Sequence, residues 1–233
     1  MKAVNSVLNQ NYEDFELIII DDGSTDNTKE ICSKVGDKRL VCEYMDHKGA
    51  SAARNKGLSL ATGKFVAFLD TDNYWHSDFL SVMVQEVRSP YLMGYCSENM
   101  FLASGDIKTQ KIIERKVRNV EYNPVKLTYT NFIDINSVLI DKSVFDEVGE
   151  FDENLKTLED WDLFARIALK FPFKVKHVDQ VLVDYYYFTK DSISTVTNSF
   201  TSDQNIKSYF QLKSGEGDRA KIIQKIKDTL GED

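Results

Sequence analysis

Two acidic groups follow directly on apolar runs: Asp21-Asp22 after FELIII (residues 15–20), and Asp70-Thr71-Asp72 after KFVAFL (residues 64–69). Each run is short and almost continuously apolar, which reads as a strand buried on both faces and ending in a loop. Ligands of open α/β sheets bind beyond the carboxyl ends of the strands, so both groups are expected on one sheet edge. Carboxylates at i and i+2 of an extended segment project to the same side. Asp70 and Asp72 can therefore share a hard divalent cation, Mg²⁺ or Mn²⁺. A lone D-x-D is weak, because strand-end aspartates also start turns and cap helices.

A third acid, Asp160, shares a helical stripe with Phe164, Ile167, Ala168 and Phe171. It should face inward, where partial desolvation makes a carboxylate a stronger base. With Thr157 it also has capping-box spacing, a role compatible with the first. Asp162 is spaced to pair with Arg166 at i+4, which implies a surface ion pair. Arg54 lies in a helical stretch beside the acidic edge and can balance anionic charge there, with a solvated surface arginine as the alternative. His47, His76 and His177 are scattered and give no support to a histidine metal site. Trp75 reads as a core aromatic, whereas Tyr74 fits either the core or a pocket wall.

The elements that must hold these residues follow from periodicity and punctuation. Strands are expected at 15–20, 39–44 and 64–69, with helices at 26–35 and 49–61 between them. Such alternation implies an α/β fold with a mostly parallel sheet flanked by helices. Strands around an Ala-Ser-Gly-Asp turn are expected over 91–107, an irregular stretch over 108–130, a helix at 158–170 stopped by Pro172, and one or two strands over 175–187. A helical C-terminal tail closes the chain, with Ile222, Ile223, Ile226 and Leu230 on one stripe of residues 218–230. That stripe is expected on the parent core; a peripheral membrane contact or a homodimer through this helix is the alternative.

The chain has 233 residues, 42% of them hydrophobic, enough for one well-buried core. A formal net charge of -8 argues against a nucleic-acid binder, which needs a basic face. It does not exclude a nucleotide, because a bound metal supplies positive charge locally. Cys32, Cys42 and Cys96 are too few and too far apart for a disulfide framework or a zinc site. No apolar run is long enough to span a bilayer and no signal peptide is visible, so the expected location is the cytoplasm, with the inner membrane face as a variant.

Three blocks carry a resemblance. VLNQNYEDFELIIIDDGSTDNT (7–28), GASAARNKGLSLATGKFVAFLDTDNYW (49–75) and FDENLKTLEDWDLFARIALKFPF (151–173) resemble, in order and spacing, the family-2 glycosyltransferases of the GT-A fold. The resemblance implies inverting, metal-dependent transfer of a sugar from a nucleotide-sugar, UDP-linked by default, to a saccharide or lipid-linked acceptor, in cell-surface polysaccharide synthesis. It implies that Asp21 and Asp22 contact the nucleoside, that Arg54 lies near the donor, and that Asp70 and Asp72 hold the metal and diphosphate. Asp160 matches the catalytic base, and Glu159 and Ser137 fall where acceptors bind. A GT-A domain is expected over 1–190, with a donor half to about 98 and an acceptor half from about 99, followed by a helical extension over 191–233.

Two departures stand out. Family members begin with a strand and a nucleotide-contacting loop, whereas Met1 falls where the first helix is already under way. A non-catalytic nucleotide-binding remnant is therefore the alternative function. Many relatives also carry a basic residue and a histidine within YYYFTKDSIS (185–194), where Tyr186 and Phe188 stand here. FVAFLDTDNY also looks like the nucleophile strand of haloacid-dehalogenase-like phosphatases, but Glu159-Asp160 opens a helix where that chemistry needs a strand end.

Overall fold

A computed structural model describes residues 1–104, 110–188 and 216–231. In chain order the elements are α1 (Lys2–Leu8), β1 (Leu17–Asp22), α2 (Thr28–Ser33), β2 (Leu40–Met45), α3 (Ala50–Leu60), β3 (Phe65–Ala67), β4 (Tyr74–Trp75), α4 (Phe79–Glu86), β5 (Met93–Ser104), β6 (Lys111–Arg118), α5 (Pro124–Leu127), β7 (Val138–Asp141), α6 (Ser143–Val148), α7 (Glu159–Lys170), β8 (Val175–Phe188) and α8 (Glu216–Leu230). A 3₁₀ turn at Ile135–Ser137 leads into β7.

The α/β class with flanking helices is as expected, but the parallel share of the sheet is smaller than the alternation implied. Strands β1 and β2 pair in parallel as a two-stranded sheet; the other strands form a second sheet in the order β3-β7-β5-β8-β4, with β6 on β5. Within it only β5 and β8 are parallel, and the remaining pairs are antiparallel. The helix-linked alternation ends at β3; beyond it β5 and β6 form a hairpin, which is antiparallel by construction. The irregular stretch expected over 108–130 thus contains a strand, β6, whose mixed charged and apolar residues suit an exposed edge. Among the described residues β1 pairs only with β2, so its apolar run is half-buried rather than enclosed on both faces.

Side-chain alternation divides the larger sheet between two cores. Val66, Met93, Tyr95, Val138 and Ile140 point to a cluster built with Leu58, Phe145, Phe164, Ile167 and Ile222. Leu139, Cys96, Phe65 and Ala67 point to the opposite face, against Val7, Phe79 and Met83. Successive strand residues must face opposite sides, and each side here has its own helical cover. Gly94 is required where α4 ends against β5: a Cβ there would lie 2.6 Å from Val87 Cγ2. The stripe on α8 covers the first core with Ile222 and Ile226. Its apolar face is therefore used mainly within the chain, as expected of a stripe packed on the parent core; Leu230 alone of the stripe is exposed.

Candidate functional site

The acid pair after β3 sits in a turn, not an extended segment. The strand stops at Ala67, and Asn73 N–H donates to Asp70 O at 3.1 Å, closing the turn across Thr71 and Asp72. The two carboxylates still feel each other. Burial and then the Asp70 charge push the Asp72 carboxyl up to about 6. A pair of like charges held in this way is relieved by a cation, so the donor set fits a hard divalent metal. Among the described residues no group of three or more histidines, cysteines or acids is arranged to hold one alone. Asp70 and Asp72 would therefore leave coordination positions for ligand oxygens and water.

Asp70 is fixed from two sides. Its Oδ1 accepts from Arg54 Nη2 at 3.0 Å, and Asn136 donates from Nδ2 to Oδ2 at 3.3 Å. Asn136 Oδ1 in turn accepts from Asp70 N–H at 2.6 Å. Arg54 also pairs with Glu159, and its side chain is only 13% exposed, so it is no surface arginine. Burial alone would lower the Arg54 guanidinium, but Asp70 and Glu159 outweigh it and hold it above its ordinary value. Tyr186 N–H donates to Asn73 Oδ1 at 2.9 Å, tying β8 to the same turn.

Asp21 and Asp22 end β1, in the two-stranded sheet, and connect to Asp70 through α3 rather than through a shared sheet edge. Asp22 accepts Lys48 N–H and Gly49 N–H, each at 2.8 Å, fixing the start of α3; Arg54 lies one turn further along. Asp21 is buried, and its Oδ1 accepts from Ser24 N–H at 2.8 Å.

Asp160 opens α7, ringed by protein but with part of its surface open. The capping box is not formed. Leu158 occupies the N-cap with φ 62°, and Asp160 Oδ1 accepts from Trp161 N–H at 2.7 Å while Oδ2 accepts from Asn131 Nδ2 at 3.1 Å. Burial first, then the charges of Glu159 and Asp134, hold the Asp160 carboxyl well above the usual carboxylate range, although Arg54 and the Trp161 N–H pull the other way. A carboxylate so placed is matched to proton abstraction near neutral pH.

On the acceptor side, Ser137 and Glu159 are both engaged within the protein. Ser137 is 1% exposed and its hydroxyl donates to Asp134 O at 2.8 Å, so it does not present that group to a cleft. Glu159 is engaged by Arg54, which gives its carboxylate a bridging task between α7 and α3. Asp162 does pair with Arg166, at 2.8 Å, but at 2% exposure with Lys225 as a second partner it is buried, because α8 covers it. Trp75 is core, stacked on Phe79 with its Nε1 donating to Asn136 O. Tyr74 lies edge-on to Tyr186, and its hydroxyl is buried without a partner among the described residues. Tyr186 and Phe188 fall on β8, and residues 189–194 of that stretch lie outside the described residues.

The residues that sequence reasoning missed form the inner wall. Asp134 Oδ1 accepts from Asn136 N–H (2.9 Å) and Nδ2 (2.7 Å), and Arg118 stands between Asp134 (3.6 Å) and fully buried Glu98 (2.9 Å). Burial pushes Glu98 up, to about 8, even against the Arg118 charge. A usable signal existed: Asp134 and Asn136 interrupt the apolar run FIDINSVLI, and Glu98 interrupts β5, where a polar residue is expected only with partners.

The class defined by this fold and site is borne out by comparison. The family model for glycosyl transferase family 2 matches residues 2–149, and the chain belongs to that family; it is a glycosyltransferase. It is 29% identical over 188 residues to UDP-Glc:alpha-D-GlcNAc-diphosphoundecaprenol beta-1,3-glucosyltransferase WfaP of Escherichia coli, covering 79% of this chain and 70% of that protein. It is also 29% identical to the putative colanic acid biosynthesis glycosyl transferase WcaA of Escherichia coli (strain K12), covering 78% of this chain and 66% of the relative. Among solved structures, S. aureus TarS 1–349 in complex with UDP-GlcNAc superposes with a TM-score of 0.59 at 18% identity, over 97% of this chain and 67% of that one. The mannosyltransferase PcManGT of Pyrobaculum calidifontis, in complex with GDP-Man and Mn2+, gives 0.57 at 17% identity, over 78% and 51%. These likenesses carry the fold. No helix among the described residues is long and apolar enough to cross a membrane.

Proposed function

We propose that this chain transfers a sugar from a nucleotide-sugar, UDP-linked by default, to a hydroxyl of a saccharide or lipid-linked acceptor, with inversion at the anomeric carbon, in cell-surface polysaccharide synthesis. The observation that supports this reading is the continuous contact from Asp70 through Arg54 to Glu159, the residue next to Asp160, which links the acid turn after β3 to the start of α7. The names of the relatives support the donor, the lipid-linked acceptor and the polysaccharide setting. In this reading residues 1–98 are the donor half, 99–190 the acceptor half, and 191–233 the extension.

Asp21 and Asp22 border the nucleoside. Asp70 and Asp72 hold Mn²⁺ or Mg²⁺, which when bound neutralises the diphosphate as charge develops on it. Asp160 takes the proton of the acceptor hydroxyl, whose oxygen attacks the anomeric carbon as the bond to the diphosphate oxygen breaks. Arg54 keeps the acid turn and the first turn of α7 in fixed register. Nucleotide release from UDP- and GDP-sugars, with a lipid-linked saccharide and with or without Mn²⁺, tests this reading. Turnover that survives both chelation and Asp72→Asn defeats the metal role. A non-catalytic nucleotide binder is the second reading, motivated by β1 and β3 each having a single partner strand among the described residues. UDP binding measured by calorimetry, with no turnover on any donor, would favour it.

A further inference from the structure

Helix α8 buries Ile222 and Ile226, and its polar side chains reach the segment that feeds α7. Asp218 Oδ2 accepts three donors from that segment: Lys156 N–H at 3.0 Å, Thr157 N–H at 3.1 Å and the Thr157 hydroxyl at 3.2 Å. Its Oδ1 accepts from Lys221 Nζ at 3.0 Å. Two turns on, Lys225 joins Asp152 at 2.6 Å to buried Asp162 at 2.9 Å. The loop from 152 to 158 is thus tied to α8 near both ends.

That loop must finish in an unfavourable conformation. Leu158, with φ 62°, is the one non-glycine residue with positive φ among the described residues. A branched side chain there persists only when its surroundings over-determine it. Glu159 and Asp160 come next, so the direction in which they leave the turn depends on how firmly 156–158 are held. Glu159 then meets Arg54, and Arg54 meets Asp70. α7 has no side-chain cap of its own, and Thr157, the residue suited to that task, gives its hydroxyl to Asp218 instead.

We propose that Asp218 is a positioning residue for the transfer reaction: by accepting the Lys156 and Thr157 donors it holds the left-handed turn at Leu158, which sets Glu159 on Arg54 and Asp160 in the cleft. This rests on the reading of Asp160 as the base. Asp218 touches no reacting atom, and an acceptor oxygen, rather than the negative charge, is what the three donors require. The C-terminal extension is on this account part of the catalytic architecture.

The test compares the full chain with Asp218→Ala, Asp218→Asn and Thr157→Val, reading hydrogen exchange at 156–161 together with kcat and donor KM. Asp218→Ala should speed exchange at 156–161 while β5 and β8 stay protected. It should lower kcat by about 10–100-fold with donor KM within about twofold, as expected when a reacting group is misplaced. Asp218→Asn, which keeps a carbonyl acceptor, should recover kcat to within about threefold of the parent. Unchanged exchange in Asp218→Ala overturns the proposal, and so does faster exchange with kcat intact. If Asp218→Ala fails to fold, Thr157→Val, which deletes one donor, should still speed exchange at 157–159 and lower kcat severalfold; no change in either overturns the proposal. A parent chain that shows this exchange pattern but transfers no sugar defeats the Asp160 reading and leaves the brace standing.

Discussion

At the proposed donor edge, Asp21, Asp22 and Asp70 sit at or just beyond the ends of short strands, and their partners are backbone N–H groups, His47, Arg54 and Asn136. On the inner wall, Glu98, Asp134 and Asp160 lie largely within protein and draw on distant as well as local partners: Arg118 from β6 for Glu98 and Asp134, Asn131 for Asp160, and Asn136 and Trp161 N–H from close by. The contrast separates a place that receives charge from a place that withholds water. The partly exposed Asp70 suits a diphosphate and its cation, whereas desolvation, which also raises Asp72, lifts the inner Asp160 toward the range of a working base.

The largest expected effect lies on the inner wall. Asp160→Asn should lower transfer by about 10³-fold, the scale of a lost general base. Stability should move the other way. The folded protein holds the Asp160 proton more tightly than the unfolded chain does, so its ionisation costs stability as pH rises from the ordinary carboxylate range through the raised value. Asp160→Asn should therefore melt no lower than the parent at pH 8, and by about 2–4 °C higher if as little as 1 kcal/mol is recovered. A lower melting temperature would mean that Asp160 is kept for structure.

Next comes the buried pair. Arg118→Met strands Glu98 and Asp134 and should cost about 3–5 kcal/mol in denaturant unfolding, while Glu98→Leu with Arg118→Met should regain the Glu98 share of it, Asp134 keeping only its Asn136 bonds. Failure of the double variant to recover would place the inner wall's value in its ion pair. At the donor edge, Asp72→Asn should cut turnover by about 100-fold and abolish its response to added Mn²⁺, several kcal/mol of charge stabilisation being at stake. Smallest is the exposed Glu30–Lys34 pair on α2: Lys34→Ala should change stability by less than about 0.5 kcal/mol, showing that the interior effects are not generic to charge removal.

The same contrast explains what the sequence made legible. The proposed donor edge is written locally, an apolar run and then acids within a few residues, so Asp21, Asp22, Asp70 and Asp72 could be singled out, while Arg54 and the roles of all five came from the family resemblance. The inward direction of Asp160 followed from the stripe of α7. Its surroundings did not, because Asn131, Asp134, Glu98 and Arg118 meet across large sequence separations that no local pattern records. The Glu159 partner, Arg54, is equally distant in sequence, whereas the Ser137 hydroxyl bonds locally, to Asp134 O three residues back. The β6 edge was missed because a strand rich in lysine and arginine has no clean alternation, and the long β5–β8 parallel pair because nothing in either strand names its partner.

The central claim is that a desolvated Asp160 removes the acceptor proton. The pH dependence of kcat/KM for sugar transfer, measured in the parent and in Asp160→Asn, tests it most directly. The account predicts a rate that rises with pH through a midpoint well above the value of about 4 for an ordinary aspartate, and a rise that disappears in Asp160→Asn. A profile flat from weakly acid to weakly basic pH, or a variant that keeps both the rate and its pH dependence, would contradict it.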